Sequence, residues 1–215
     1  MTGRATIVDV GDPLADQTGA RAWLDRVGED ELANGLAVIN RALHAFRVVT
    51  ADPYMHEIAR DQALVARVGY GAGDEVADGL WSDARELSVA PGRRRRSVIL
   101  QPQARLAAAL NGRQRVLACE ELTLRARTDI DHERDREAAL QLLVALDAAL
   151  AELPLDPHAA SLAGRLTELR GRREAVAAAA QTALSGPLDD ASRQVVADTL
   201  GRVEAALRAR AVISA

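Results

Sequence analysis

The feature that most constrains the fold is the recurrence of leucine and alanine after residue 92. Apolar residues there return every three or four positions, the period of one buried helix face. The clearest segment runs from about 133 to 153 and ends before Pro154. Its leucines have the spacing of a coiled-coil seam: Leu143, Leu146, Leu150 and Leu153. We therefore predict an all-α fold in which residues 93–215 form an up-and-down helical bundle.

Turn signals divide this bundle into further helices. We predict one helix from about 114 to 126, followed by a turn and cap at 128–131. Pro157 opens the next helix, which reaches about Leu184 before the Ser-Gly-Pro stop at 185–187. A last helix carries apolar residues at helical spacing: Val196, Leu200, Val203 and Leu207.

The first part of the chain differs in aromatic content and in charge. All five aromatic residues lie within the first 81 positions: Trp23, Phe46, Tyr54, Tyr70 and Trp81. Residues 1–92 have a net charge of −7, whereas residues 93–215 have +3, which together make the −4 of the whole chain. We predict a flexible arm at 1–18, an acidic helical region with a glycine-rich loop at 19–92, and the bundle.

The helical region at 19–92 is predicted to hold several helices. One begins near Gly19 and carries Trp23. A stronger one starts near Asp30 and buries an apolar face composed of Leu32, Leu36, Ile39, Leu43 and Phe46. Asp52 and Pro53 then predict a new helix that reaches about Val68. A short helix is expected to restart at Asp74 and to end at Gly79.

Residues 44–81 form the candidate ligand site, because a glycine-rich loop, two histidines and aromatic rings are gathered there. Its candidate binding residues are His44, His56, Tyr70, Gly71, Gly73, Asp74 and Trp81. The loop reads G-x-G-x-G and not the G-x-G-x-x-G of a dinucleotide fingerprint, and no βαβ pattern surrounds it. The favoured interpretation of the loop by itself is a glycine-rich turn between two helices.

A run of four arginines is the candidate anion-binding segment: Arg93, Arg94, Arg95 and Arg96. It could contact phosphate, nucleic acid or an acidic protein surface. Single-stranded nucleic acid is normally held with aromatic rings among the cations, and here those two residue types lie in different halves of the chain. The favoured interpretation is a solvated junction that pairs with the acidic first part.

Several chemistries are disfavoured by composition. All 27 cationic residues are arginine, which is typical of a high-GC, bacterial genome and excludes a lysine Schiff base or a P-loop lysine. The single Cys119 excludes an internal disulfide and is predicted to be a buried, inert thiol. Acidic residues at 129–135 could hold a hard cation, but a helix start enriched in acids is the favoured interpretation, and we expect no metal.

These observations favour a non-enzymatic protein–protein interaction or scaffold protein whose partner is another protein or a second copy of the chain. One alternative is a small-ligand binder or an enzyme with its pocket in residues 44–81; no particular cofactor is indicated. A second alternative is a nucleic-acid accessory protein that uses Arg93–Arg96, although the net charge does not favour nucleic acid. The N-terminus has no apolar signal core and no membrane partner is expected, so we expect a cytoplasmic location.

Overall fold

The protein is described by a computed structural model for residues 3–11, 14–89, 106–107, 110–112 and 115–213. The chain divides into two compact units, Met1–Arg94 and Arg95–Ala215. This division falls inside the arginine run, next to the change in charge and in aromatic content. Most of the described residues are helical, and the predicted all-α class with a C-terminal bundle is confirmed.

Two helices open the N-terminal unit, α1 (Gln17–Arg26) and α2 (Glu29–Thr50). The Asp16 carboxylate caps α1 by accepting a 2.7 Å hydrogen bond from the Gly19 amide. α2 opens with three acidic residues, which the positive end of the helix dipole favours. Both predicted helices are therefore present, and Trp23 lies on α1 as expected.

The segment before α1 has no regular secondary structure over residues 3–11. Part of it lies close to α2, since a Cβ placed on Gly35 would be 3.4 Å from the Cδ1 atom of Ile7. Arg4 lies against the loop that contains Gly79, because a Cβ placed on Gly79 would be 3.1 Å from the guanidinium nitrogens of Arg4. The segment therefore contacts both α2 and this loop.

The inner face of α2 differs from the predicted one at its C-terminal end. Leu32 is buried and the next three predicted positions are partly buried, but Phe46 is 53% exposed. Burial of Phe46 was therefore a wrong expectation, because at 100° per residue Phe46 lies at the border of the inner face, towards Val49. A polar side chain, Asn40, is buried instead. Its amide nitrogen donates to the Ile58 carbonyl at 3.1 Å and its amide oxygen accepts from the Ile58 amide at 2.8 Å, which fixes the chain after α2.

The helix predicted from Pro53 to Val68 is wrong. An irregular segment with one 3₁₀ turn (Arg60–Gln62) leads into strand β1 (Ala66–Tyr70), which pairs antiparallel with β2 (Asp83–Leu87). The register places Ala66 opposite Leu87 and Tyr70 opposite Asp83. The partner strand arrives more than ten residues later, so local periodicity does not reveal the pairing. Likewise, the short helix expected at 74–79 is a single 3₁₀ turn, Asp74–Val76.

The C-terminal unit is a four-helix bundle. Its helices are α3 (Ala118–Asp131), α4 (Asp135–Glu152), α5 (Ala159–Ser185) and α6 (Asp190–Ile213). Neighbours along the chain pack side by side, and α6 also contacts α3 and α4. A 3₁₀ turn, Leu153–Leu155, follows α4.

The turn predicted at 128–131 is wrong, because these residues form the last turn of α3. The acids there lie at the negative end of the helix dipole, where arginines compensate for them. Arg134 donates to Asp129 at 2.8 Å, and Arg127 lies 3.6 Å from Asp131. The real turn is at 132–134, where Glu133 adopts a left-handed backbone with φ of 57°. The prediction that these acids begin a helix therefore fails for all but Asp135.

The core of the bundle is built from leucine, alanine and valine that the solvent does not reach. On α4 the predicted seam is only partly right: Leu146 and Leu153 are fully buried, whereas Leu143 and Leu150 are partly exposed. The buried stripe is wider and includes Leu142, because α4 contacts all three other helices. The stretch Asp135–Leu155 is long and apolar enough to cross a membrane. A single helix of this kind is weak evidence for a membrane span, since the core helix of a bundle has the same composition.

Candidate functional site

The two histidines predicted as ligands lie in different settings. His44 is partly buried on α2, and its Nδ1 atom is 3.3 Å from an Arg47 guanidinium nitrogen. His56 is exposed in the irregular segment that follows α2. Within the described part of the chain, no hydrogen bond or ion pair connects these two side chains.

The glycine-rich loop connects the two strands of the hairpin. Gly71 follows β1 directly, and a Cβ at this position would lie 2.7 Å from the Cγ2 atom of Val76. Gly73 has a φ of 66° and precedes the 3₁₀ turn that Asp74 begins. Close packing and a left-handed backbone thus explain why glycine is used at both positions. This arrangement is a turn, as the favoured interpretation predicts, but it joins two strands rather than two helices.

The predicted aromatic residues are used within the N-terminal unit. The ring of Tyr70 meets Trp23 of α1 edge to face, with centroids 6.4 Å apart and planes at 77°. The Tyr70 hydroxyl is buried, and the described residues offer it no hydrogen-bond partner. Trp81 is partly buried just before β2. The structure therefore joins Tyr70 to an aromatic residue outside the predicted segment 44–81.

One depression lies within residues 44–81, at the C-terminal end of α2. It is open, has a volume of about 370 Å³, and is lined by Arg47, Val48, Ala51, Asp52 and Pro53. The residues singled out from the sequence are not part of its lining. Among the described residues, no group of three or more His, Cys, Asp or Glu side chains is placed to hold a metal ion. The arginine run Arg93–Arg96 lies outside the described residues.

A second depression, of about 390 Å³, lies on the bundle. Its lining comprises Ile130, Asp135, Leu188, Asp190, Arg193, Gln194, Val196 and Ala197. The charge of Arg193 is compensated by Asp190 and by Asp135 at 3.7 Å, and its Nη1 donates to the Leu188 carbonyl at 2.9 Å. These contacts tie the beginning of α6 to α4 and satisfy the guanidinium group within the bundle.

Cys119 is fully buried, which confirms the predicted burial of the thiol. Burial and the neighbouring Glu152 carboxylate raise the pKa of the Cys119 thiol to about 12. The same carboxylate accepts hydrogen bonds from the backbone amides of Ala118 and Cys119 at 3.2 and 2.9 Å. The last residue of α4 therefore caps the start of α3. Burial raises the pKa of Glu152, but these hydrogen bonds outweigh it and the pKa lies below its ordinary value.

A buried ion-pair network lies beside this cap. The Arg210 side chain is 6% exposed, and it donates to Asp156 at 2.7 Å and to Glu120 at 3.2 Å. Burial raises the pKa of Asp156, but the hydrogen bonds from the Arg210 guanidinium and the His158 amide lower it by more. The pKa of Asp156 therefore lies below its ordinary value. The network joins the end of α6 to α3 and to the segment after α4, which the sequence alone did not reveal.

The outer face of α2 carries an apolar stripe, which we define as Val38, Ala42, Ala45, Phe46 and Val49. All five residues are exposed, with 39% of Val38, 53% of Phe46 and 84% of Val49 accessible to solvent. Val38, Ala42, Ala45 and Val49 recur at helical spacing on the side opposite Asn40, and Phe46 lies between them and the inner face. α2 is therefore apolar on two faces, of which only one is covered by its own unit.

The charges around the apolar stripe are unevenly distributed along α2. Three acids, Glu29 to Glu31, occupy the first turn. From Leu32 to Ala51 the sequence has no acidic residue and has the cations Arg41 and Arg47. The four-three-four spacing from Val38 to Val49 indicates this second face in the sequence, in addition to the predicted inner face.

Comparison with known proteins gives no relative: no protein-family model, curated sequence or solved structure matches the chain. The fold places it among predominantly α-helical proteins with a four-helix bundle and a second, smaller unit.

Proposed function

We propose that this chain is a non-enzymatic protein–protein interaction protein that binds through the apolar stripe of α2. The observation that carries the proposal is the exposure of Phe46 and Val49 on a helix whose opposite face is already covered. An aromatic residue in a contiguous exposed apolar surface is typical of a protein-binding site. Two further apolar side chains close by in the sequence are exposed, Val48 by 65% and Tyr54 by 83%.

The bundle serves as a stable support in this proposal. Most of its leucines lie in its own core, with Leu124, Leu155 and Leu184 as exposed exceptions, and its buried arginine is paired with Asp156 and Glu120. The N-terminal unit, in contrast, leaves many large apolar side chains in solvent over a short stretch of chain. Burying exposed apolar area contributes about 25 cal/mol per Å², which favours a protein partner for this surface.

The test is quantitative capture from the native host with the tagged full-length chain. Three baits are compared: the wild type, Phe46→Glu, and the control Leu80→Glu. Leu80 is 62% exposed in the same unit but belongs to the hairpin connection and not to α2. We expect partners to be retained by the wild type and by Leu80→Glu, and to be lost with Phe46→Glu, because a buried unpaired carboxylate opposes binding.

Capture that is equally strong with all three baits would contradict this proposal. A thermal-shift screen with metals, nucleotides and acyl-CoAs tests the alternative of a small-ligand site. Stabilisation by one compound that is lost in Tyr70→Ala or His56→Ala would replace our proposal by that alternative. Tryptophan fluorescence reports on folding of the N-terminal unit in every variant, since both tryptophans lie there.

A further inference from the structure

We propose that α3 is a releasable helix, which leaves the bundle in a local opening while α4, α5 and α6 stay packed together. This inference concerns the bundle alone and does not depend on the apolar stripe of α2. Three observations carry it: the small side chains that α3 buries, the polar contacts that hold α3 in place, and its position as the first helix of the bundle.

The apolar contribution of α3 to the core is small. Its buried residues are Cys119, Thr123 and Ala126, and its two leucines, Leu122 and Leu124, are partly buried and exposed, respectively. Each of the other three helices has leucine or valine side chains that are at most 2% exposed: Leu142, Leu146, Leu162, Leu169, Val176, Val196, Leu200 and Val203. The hydrophobic effect scales with buried apolar area, so it holds α3 less firmly than α4, α5 and α6.

The start of α3 is attached by hydrogen bonds from two other helices. The residue before α3 is Leu117, which has no capping side chain, and Glu152 of α4 accepts from the first two amides of α3 at 3.2 and 2.9 Å instead. Glu120 accepts a 3.2 Å hydrogen bond from Arg210 of α6. Water replaces these bonds when α3 leaves, so their net contribution to attachment is modest.

The second half of α3 is attached to α6 by one ion pair. Arg127 donates two hydrogen bonds to Glu204, at 2.7 and 3.0 Å. The two side chains are 35% and 23% exposed, so water already reaches both of them. Because charged groups regain hydration when they separate, this pair orients α3 but opposes its release less than a buried leucine does.

The position of α3 allows the other helices to stay together without it. α3 is the first of the four helices, and the turn at 132–134 joins it to α4. α4, α5 and α6 contact one another directly, and the ion pair between Arg210 and Asp156 joins α6 to the segment after α4 without α3. A helix with few buried apolar side chains at the beginning of a bundle is therefore the part that we expect to open first.

Alkylation of Cys119 tests the release, because the thiol lies on α3 and is fully buried in the closed bundle. The comparison chain carries Val176→Cys with Cys119→Ala, since Val176 is fully buried on α5. Both full-length chains are treated with iodoacetamide over a series of urea concentrations, and circular dichroism at 222 nm locates the unfolding transition of each chain.

We expect Cys119 to react at urea concentrations below the unfolding transition of its chain. The thiol of Val176→Cys should react only within the transition, because α5 belongs to the part that stays folded. If both thiols react with the same urea dependence relative to their transitions, α3 opens only when the whole bundle unfolds, and the proposal is wrong.

Two arginines of α3 provide a matched pair of variants. Arg127 attaches α3 to α6, whereas Arg125 pairs with Glu121 of the same helix at 2.9 Å. Below the transition, Arg127→Met should raise the rate of Cys119 alkylation about three- to tenfold, and Arg125→Met should change it by less than about twofold. Equal effects of the two variants would overturn the proposal.

Amide hydrogen exchange of the unmodified chain gives a measurement that needs no substitution. Peptides from α3 should exchange through an opening with a weaker urea dependence than peptides from α5, because a local opening exposes less surface than global unfolding. The same urea dependence in all four helices would overturn the proposal, even where a cysteine variant fails to fold.

Discussion

The buried network around Arg210 allows a comparison between two ion pairs that differ mainly in burial. Arg210 and Asp156 are each 6% exposed, and their nitrogen–oxygen distance is 2.7 Å. Arg173 and Asp147 make two hydrogen bonds of 2.6 and 2.9 Å, but these side chains are 52% and 42% exposed. Since bond lengths are similar, a large difference in stability on mutation must come from burial and from the second carboxylate, Glu120, which Arg210 contacts at 3.2 Å.

We expect Arg210→Ala to lower the free energy of unfolding of the bundle by about 3–5 kcal/mol, because the Asp156 carboxylate remains buried without its partner. Arg173→Ala should cost less than about 1 kcal/mol, because water solvates the released carboxylate. The larger loss corresponds to a fall in melting temperature on the order of 10 °C. Urea denaturation followed by circular dichroism at 222 nm measures both values.

Two further variants separate charge from packing. Arg210→Met keeps most of the side-chain volume but leaves the carboxylates unpaired, so it should be nearly as destabilising as Arg210→Ala. Adding Asp156→Asn to Arg210→Met should recover part of the loss, because one buried charge is removed. Equal effects of Arg210→Ala and Arg173→Ala, or full rescue by Arg210→Met alone, would refute the reasoning.

Three other predictions concern the same unit. The pKa values of Asp156 and Glu152 are lowered in the folded state. The two carboxylates therefore stabilise the fold above their ordinary pKa values of 3.8 and 4.5, and this stabilisation is lost as the pH falls through the folded values. Urea denaturation at pH 7 and pH 3 should show the loss, and Asp156→Asn should make it smaller. With a pKa of about 12, the Cys119 thiol should resist alkylation at neutral pH until denaturant exposes it, and rapid labelling of the native chain would contradict this. The Thr199 hydroxyl is fully buried and finds no hydrogen-bond partner in the described chain, so Thr199→Val should raise the free energy of unfolding by about 1 kcal/mol, and a loss of stability would show that the hydroxyl is satisfied.

Local pattern was sufficient for the helices that bury one apolar face. α4 and α6 lie close to where their leucines and valines predict them, because apolar residues at a period of 3.6 are sufficient to indicate a helix. The proline and glycine stops near 154 and 186 also mark real ends. The burial of Cys119 follows from the same local pattern, since an apolar helical setting is enough to place a thiol inside.

Contacts between distant residues decided the rest. β1 exists because β2 pairs with it. Asn40 can be buried because the backbone carbonyl and amide of Ile58, 18 residues away, make hydrogen bonds to its side chain. Which side chains lie together likewise depends on packing: Tyr70 meets Trp23 of another element, and the predicted ligand residues are not gathered around one depression. The exposure of Phe46 is of the same kind, because periodicity can show that a helix face is apolar but only packing determines whether its own chain covers it.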